Sequence, residues 1–144
     1  MTVTFCGHSQ VANANAVAAA LADIIEKLID EGADKFLLGG YGEFDTMAAI
    51  AVRNAKKNHS GIHSTLVIPY IDRDYEPALY DNSMYPPLET VPRRFAISKR
   101  NEWMVSNSDV VVAYIQHNWG GAAATLKYAE RKKKQIIALS CTSL

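Results

Sequence analysis

Short apolar runs alternate with longer stretches of helical periodicity along the 144-residue chain. The apolar runs predict strands at residues 3–6, 36–38, 65–68, 109–115 and 135–139. Between them, apolar residues recur every three or four positions, which predicts helices at about 15–31, 43–57, 98–107 and 121–133. This alternation predicts one α/β domain over residues 1–144, with a mostly parallel sheet of about five strands and helices on both faces.

The polar residues at the ends of these stretches predict the helix boundaries. Asn13 or Asn15 is a candidate N-cap for the first helix, and Gly32 is placed to end it. Ser98 is a candidate N-cap for the third helix.

The segment at about 69–96 breaks the regular pattern. It contains all five prolines of the chain and four of its tyrosines: Pro69, Tyr70, Tyr75, Pro77, Tyr80, Tyr85, Pro86, Pro87 and Pro92. A surface meander covered by tyrosines is one interpretation, and a lid or subunit contact is the other. We expect it to cover the ligand crevice and to contribute to a homodimer or higher homo-oligomer.

Composition narrows the choice of partners. Apolar residues make up 49% of the chain, charged residues 21%, and the formal net charge is zero. A neutral chain lacks the basic footprint of a general nucleic-acid binder, so we expect no nucleic-acid partner. The basic run at 131–134 marks either a solvated helix end or a contact with a polyanion.

The remaining composition signals concern compartment and metals. The chain has no apolar run of membrane-spanning length and enters a strand at its N-terminus, so we expect no membrane partner and a cytoplasmic location. Cys6 and Cys141 fit small buried hydrophobic residues in a reducing compartment. His59, His63 and His117 share no metal-ligand spacing. We expect neither a metal nor a cofactor.

Three predicted strand ends carry glycine next to polar or aromatic residues, at 7–9, 39–43 and 118–121. In a parallel sheet these ends share one edge, where ligands bind at the point of topological reversal. Glycines before the helix at about 43 would leave its backbone N–H groups open to an anion, and a tight turn is the alternative explanation, which the other two glycine-bearing strand ends disfavour. The glycines that we expect to contact a ligand are Gly7, Gly39, Gly40, Gly42, Gly120 and Gly121. The fingerprint G-x-G-x-x-G is absent after the first strand, which excludes a nicotinamide dehydrogenase.

Five side chains are further candidates at this edge. Asp45 is either a helix-start carboxylate or a ribose-hydroxyl acceptor and general acid/base. Arg100 matches phosphate geometry or forms a surface ion pair, and Asn101 binds a ligand or caps a backbone group. His8 is a ligand contact or a structural histidine, and Trp119 stacks on a base or packs under the last loop.

Four blocks of the chain together form a family-like signature. The first two blocks are Thr4-Phe5-Cys6-Gly7-His8 and Leu38-Gly39-Gly40-Tyr41-Gly42-Glu43-Phe44-Asp45. The others are Arg100-Asn101-Glu102-Trp103-Met104-Val105, and Ser108-Asp109 with Gly120-Gly121 and residues 125–129. In order and in spacing these blocks resemble the DUF1273-type members of the SLOG superfamily, and the resemblance covers nearly the whole chain. It implies a Rossmann-like fold that binds nucleotides or nucleotide-derived ligands, and an oligomer. Relatives in the superfamily include the Lonely Guy phosphoribohydrolases, DNA-processing proteins and nucleotide-signal sensors.

Two departures from these families weaken a catalytic assignment. Ser9 stands where DUF1273-type members often carry arginine, and Thr46 stands where the phosphoribohydrolases carry their glutamate. Asp45 and Glu43 are the carboxylates nearest to that position. Around Trp119 the chain is also similar to nucleoside deoxyribosyltransferases, but alanine occupies the position of their glutamate nucleophile, at Ala123 or Ala124.

The sequence therefore favours a sensor or accessory module that binds a nucleotide or nucleoside-derived small molecule. The alternative is an N-glycosidic hydrolase or transferase acting on a nucleoside monophosphate, with Asp45 or Glu43 as the catalytic carboxylate. A DNA-associated module is a third hypothesis, which the zero net charge disfavours.

Overall fold

The computed structural model of the protein describes residues 1–139. The strands are β1 (Thr2–Gly7), β2 (Lys35–Leu38), β3 (His63–Val67), β4 (Asn82–Met84), β5 (Val110–Tyr114) and β6 (Gln135–Ala138). The helices are α1 (Ala14–Asp30), α2 (Glu43–Lys56), α3 (Ala96–Ser106) and α4 (Gly121–Arg131), with short 3₁₀ turns at Pro77–Leu79 and Arg93–Phe95. The predicted α/β architecture is confirmed.

The strands form one sheet in the order β4-β3-β2-β1-β5-β6, and every neighbouring pair is parallel. From β1 the chain moves outwards through β2, β3 and β4, then returns to place β5 on the other side of β1. The direction of the winding therefore reverses between β1 and β5. In that pair Gly7 lies opposite Tyr114, so the loops after both strands leave the sheet side by side.

The two faces of the sheet bury different residues. One cluster joins β1, β2 and β5 to α1 and α2 through fully buried apolar side chains, among them Val3, Phe36, Leu38, Val17, Leu21, Ile25 and Val52. A second cluster joins Cys6, Val111 and Ala113 to Val105 of α3 and Ala129 of α4. Successive strand residues point to opposite faces, so helices cover both sides of the central strands.

Within residues 1–139 the structure has six strands, where the sequence predicted about five. The additional strand, β4, lies inside the segment at 69–96 and pairs with the edge of β3, opposite residues 65–67. Its residues Asn82, Ser83 and Met84 show no apolar alternation, because a three-residue edge strand buries little side-chain area. Thr65 donates its hydroxyl to Asn82 Oδ1 at 2.7 Å across this edge.

Asn13 is the N-cap residue of α1, as predicted, whereas the predicted N-cap Ser98 is wrong. Asn13 precedes α1 in a left-handed conformation (φ 58°) without a side-chain cap, and its carbonyl accepts from the N–H groups of Ala16 and Val17. Asn15 lies within the helix. Ser98 lies inside α3, which continues from a 3₁₀ turn and begins at Ala96. Gly32 follows α1 with φ +107°, as expected of a glycine that ends a helix.

Cys6 is buried as predicted, and burial raises the pKa of its thiol to about 12. Its thiolate is therefore scarce at neutral pH. Cys141 lies outside the described residues. Within residues 1–139, no helix is long and apolar enough to cross a membrane.

Candidate functional site

A cleft of about 820 Å³ opens at the carboxyl edge of the sheet, where β1 and β5 diverge. The loop after β1, the start of α2, one side of α3 and the loop after β5 form its walls. Eight residues expected to contact a ligand line it: Gly7, His8, Asp45, Arg100, Asn101, Trp119, Gly120 and Gly121. Residues from four separate stretches of the chain therefore meet in one concave site.

The other predicted residues, Gly39, Gly40, Gly42 and Glu43, do not line this cleft. Gly40 has φ +68°, and a Cβ there would lie 2.6 Å from Leu66 Cδ1. Gly42 has φ +91°, and a Cβ there would lie 2.7 Å from the Cα of Ser9. Both positions are therefore restricted to glycine by the backbone and by close packing against the protein itself.

The N-terminus of α2 already has internal partners. The N–H of Tyr41 donates to Asp45 Oδ2 at 3.2 Å, and the N–H of Glu43 donates to the carbonyl of Ser9 at 2.9 Å. The exposed Glu43 carboxylate accepts from the N–H of Val11 and so ties the loop after β1 to this helix. Two carboxylates in the first turn oppose a bound anion.

Asp45 is 9% exposed and lies at the floor of the cleft. Burial raises the pKa of its carboxyl to about 6, against the opposing effects of the Tyr41 hydrogen bond and the nearby Arg100 charge. Within residues 1–139 Oδ2 has its Tyr41 partner, whereas Oδ1 has none and is not fully enclosed. This oxygen is therefore an acceptor without a partner in the described chain, on a residue that lines the cleft.

Arg100 is 2% exposed, so it is not the surface residue that one interpretation of the sequence expected. Its Nη1 donates to the carbonyls of Gly39 at 2.8 Å and Val67 at 2.7 Å, and its Nε donates to Asn101 Oδ1 at 2.8 Å. Arg100 thus holds the ends of β2 and β3 together. Its Nη2 has no acceptor among residues 1–139 and lies 3.2 Å from where a Cβ on Gly39 would be.

The Pro/Tyr-rich segment at 69–96 contributes no residue to the cleft lining. Burial lowers the pKa of Arg100, while Asp45 and the phenol groups of Tyr75, Tyr70 and Tyr80 oppose that effect. These tyrosines, spaced by five in sequence, therefore lie near the guanidinium. In the structure the segment packs around Arg100 rather than over the cleft.

Three aromatic rings form a column on the opposite wall. The rings of His8 and His117 are 3.7 Å apart between centroids, and those of His117 and Trp119 are also 3.7 Å apart, with interplanar angles of 18° and 17°. His8 Nε2 accepts from the N–H groups of Gln116 at 2.8 Å and His117 at 3.4 Å. Burial, and then His117, hold the pKa of His8 below its ordinary value, which favours the neutral ring that these bonds require.

The N-terminus of α4 differs from that of α2. Gly120 precedes it with φ +92°, and a Cβ added at Gly121 would meet no atom within 4 Å. The first turn has no acidic residue, and small residues follow Gly121. This helix end therefore leaves both space and favourable potential for an anion in the cleft.

Sequence reasoning considered His117 only as a metal ligand and missed its place in the site. The available signal was positional, because His8 and His117 both follow strands that end at the same edge. Gln116, Tyr41 and Thr125 also line the cleft without having been predicted. Among residues 1–139, no cluster of three or more His, Cys, Asp or Glu side chains is placed to hold a metal ion.

No protein-family model matches this chain, and no curated protein sequence matches it. Solved structures with the same fold include DNA processing protein A from Helicobacter pylori, described for its single-stranded DNA binding mode, with a TM-score of 0.70 and 17% identity. DNA processing protein A from Streptococcus pneumoniae matches with a TM-score of 0.73 and 20% identity. The molybdenum cofactor carrier protein from Chlamydomonas reinhardtii matches with a TM-score of 0.61 and 18% identity.

The alignments with the two DNA processing proteins each cover 99% of this chain. The alignment with the molybdenum cofactor carrier protein covers 95% of this chain and 75% of that protein. The chain thus spans 66% and 51% of the two DNA processing proteins. At these identities the likeness establishes the fold alone. Membership of the SLOG superfamily, and of its DUF1273-type proteins, remains a prediction.

Proposed function

We propose that the cleft binds a nucleotide or nucleoside-derived small molecule, and that the protein works as a sensor or accessory module. The observation that carries this proposal is the combination of the unobstructed start of α4 with the buried Asp45 and Arg100 in one cleft. A phosphorylated ribose has the matching combination of an anionic group and hydroxyl groups.

The phosphate would lie at Gly120 and Gly121. Backbone N–H groups in the first turn of α4 point along the helix axis, and the helix dipole favours a negative charge there. Because Gly121 has open space around its Cα, a ligand oxygen reaches the backbone without displacing a side chain. This proposal moves the anion site from the predicted turn at 39–42 to the other glycine pair.

The ribose would lie towards Asp45 and Arg100. Asp45 Oδ1 is an acceptor without a protein partner in the described chain, and Arg100 Nη2 is a donor that likewise has none there. A hydroxyl group donates one hydrogen bond and accepts others, so a sugar hydroxyl satisfies both atoms. Leaving buried polar groups unsatisfied is costly, which favours a ligand that completes them.

The solved structures support the class of ligand and not its identity. One neighbour is described for binding single-stranded DNA, and another is named for carrying the molybdenum cofactor. Both proteins with this fold are thus described by a ligand that they bind or carry. The zero net charge of the present chain still favours a small molecule over a nucleic acid.

Mass spectrometry of small molecules that remain bound after native purification tests the proposal. We expect a phosphorylated nucleoside derivative with the parent protein and with Gly61→Val, because Gly61 also has no atom within 4 Å of an added Cβ and lies outside the cleft. Gly121→Val should lose the compound, since its side chain enters the cleft. A compound retained equally by all three proteins would contradict the proposal.

The second candidate function is cleavage of an N-glycosidic bond. A carboxyl group with a pKa of about 6 in a cleft exchanges protons near neutral pH, as a general acid/base requires, and this favours Asp45. Glu43 is exposed and outside the lining, so its position does not support a direct role.

We expect little turnover, because this chain has alanine, Ala123 or Ala124, where the similar deoxyribosyltransferases carry their glutamate nucleophile. Chromatography of purified protein with nucleoside 5′-monophosphates measures release of free base. Substantial release that disappears in Asp45→Asn would establish the hydrolase in place of the sensor.

A further inference from the structure

We propose that the column of His8, His117 and Trp119 is a prebuilt stacking platform, and that the outer face of Trp119 receives the planar heteroaromatic base of the ligand. This inference rests on the proposed function and assigns the base to one wall of the same cleft. Trp119 is then a residue that determines affinity for the base, and the two histidines position it.

The column is closed at one end and open at the other. His8 meets the edge of Tyr114 at 6.2 Å and 72°, and Tyr114 stacks on Phe44 at 5.7 Å and 15°. The rings thus continue from the buried core to the cleft. Trp119, at the far end, is 68% exposed. A planar ring on its outer face would continue the parallel 3.7 Å stacking.

Hydrogen bonds hold the rings in this arrangement before any ligand arrives. His8 Nε2 accepts two backbone N–H groups of the loop that carries the other rings. His117 Nδ1 lies 3.0 Å from the carbonyl oxygen of Trp119, and because a carbonyl only accepts, Nδ1 carries the proton. Fixed rings lose little freedom when a ligand binds, so the platform is preorganised.

Packing does not account for Trp119. A tryptophan with two thirds of its surface exposed contributes little to the core, and its ring rests on His117 rather than on an apolar cluster. Its neighbour in sequence is Gly120, the residue before α4. A base on Trp119 would therefore lie next to the helix end where the phosphate would bind. One mononucleotide would supply both groups.

Stacking on an aromatic side chain tolerates every base, because each base has a π-face. It contributes about 5- to 150-fold in affinity, which corresponds to about 1–3 kcal/mol. The platform therefore predicts a requirement for a base with weak discrimination among bases.

The experiment compares ribose 5-phosphate with four nucleoside 5′-monophosphates, those of adenosine, guanosine, cytidine and uridine. Calorimetric titrations use the parent, Trp119→Leu, Trp119→Phe and Trp103→Phe. Trp103 is the other tryptophan; it packs against the Leu37, Val67 and Met104 cluster and does not line the cleft. In Trp103→Phe all tryptophan fluorescence comes from Trp119, so quenching by a bound base reports stacking directly.

We expect Trp119→Leu to weaken binding of the monophosphates about 5- to 150-fold and to leave ribose 5-phosphate binding unchanged. Trp119→Phe should show only part of this loss of affinity. Trp103→Phe should bind like the parent, and its tryptophan fluorescence should be quenched when a monophosphate binds. Equal binding of ribose 5-phosphate and monophosphates by the parent, with no effect of Trp119→Leu, would overturn this inference and leave the proposed function standing. An equal loss for both kinds of probe would also overturn it. No binding of any probe to the parent would overturn both.

Discussion

Asp45 and Arg100 both lie against Gly39. A Cβ on that glycine would be 3.0 Å from Asp45 Oδ2 and 3.1 Å from the central carbon of the Arg100 guanidinium. The two charges act on each other's pKa, yet among the described residues they form no ion pair. The absence of a side chain at Gly39 therefore leaves room for two buried opposite charges, both on residues that line the cleft.

Gly39→Ala should disturb this arrangement. The added methyl group meets both charged groups, and overpacking of this kind costs about 1–3 kcal/mol in the free energy of unfolding. Gly121→Ala is the matched control, because its Cβ enters open space and we expect a change within about 0.5 kcal/mol. Urea unfolding of the two variants and the parent measures the difference. Equal stability of all three would contradict the assigned role of Gly39.

Asp45→Asn should change how stability depends on pH. The folded state raises the pKa of Asp45 from 3.8 to about 6, so it holds its proton more tightly than the unfolded chain does. The parent therefore loses stability as pH rises between these two values, by up to about 3 kcal/mol. The asparagine in the variant does not ionise. The free energy of unfolding of Asp45→Asn, relative to that of the parent, should therefore rise by up to about 3 kcal/mol between about pH 4 and pH 7. If the free energies of both proteins change with pH in parallel, Asp45 is not buried as described.

Arg100→Met should destabilise the fold even without a ligand. The carbonyls of Gly39 and Val67 lose their donor, and each unsatisfied buried group costs about 1–3 kcal/mol. We expect a total loss of about 2–6 kcal/mol in the free energy of unfolding, measured by chemical denaturation. Lys99→Met alters the adjacent, exposed residue, whose ion pair with Glu102 is on the surface, and should change stability by less than about 0.5 kcal/mol. Similar free energies of unfolding for Arg100→Met and Lys99→Met would argue against the role of Arg100 in holding the ends of β2 and β3 together.

The homodimer expected through the segment at 69–96 remains a prediction from the sequence. Ile71 is 72% exposed in this segment, next to the Tyr70 ring that lies between Arg73 and Arg93. Sedimentation at micromolar concentration should show a dimer that Ile71→Glu dissociates and Ile50→Glu, on α2, does not. A parent protein that sediments as a monomer would refute the prediction.

The strand and helix order was predictable because each element carries its own periodicity, whereas β4 carries none. The edge of the sheet that holds the cleft also followed from the glycines after the strands. The role of each glycine did not follow, because Gly40 and Gly42 are restricted by Leu66 and Ser9, which only the folded structure brings near. The same holds for His8 and His117, which are 109 residues apart and meet only through the register of β1 and β5.

Calorimetric titration of the parent, Gly121→Val and Gly61→Val with nucleoside 5′-monophosphates tests the central claim most directly. The parent and Gly61→Val should bind at least one of these compounds with equal affinity, and Gly121→Val should bind none, while all three unfold alike. Absence of binding to the parent at millimolar ligand, or undiminished binding to Gly121→Val, would contradict the assignment of a nucleotide site to this cleft.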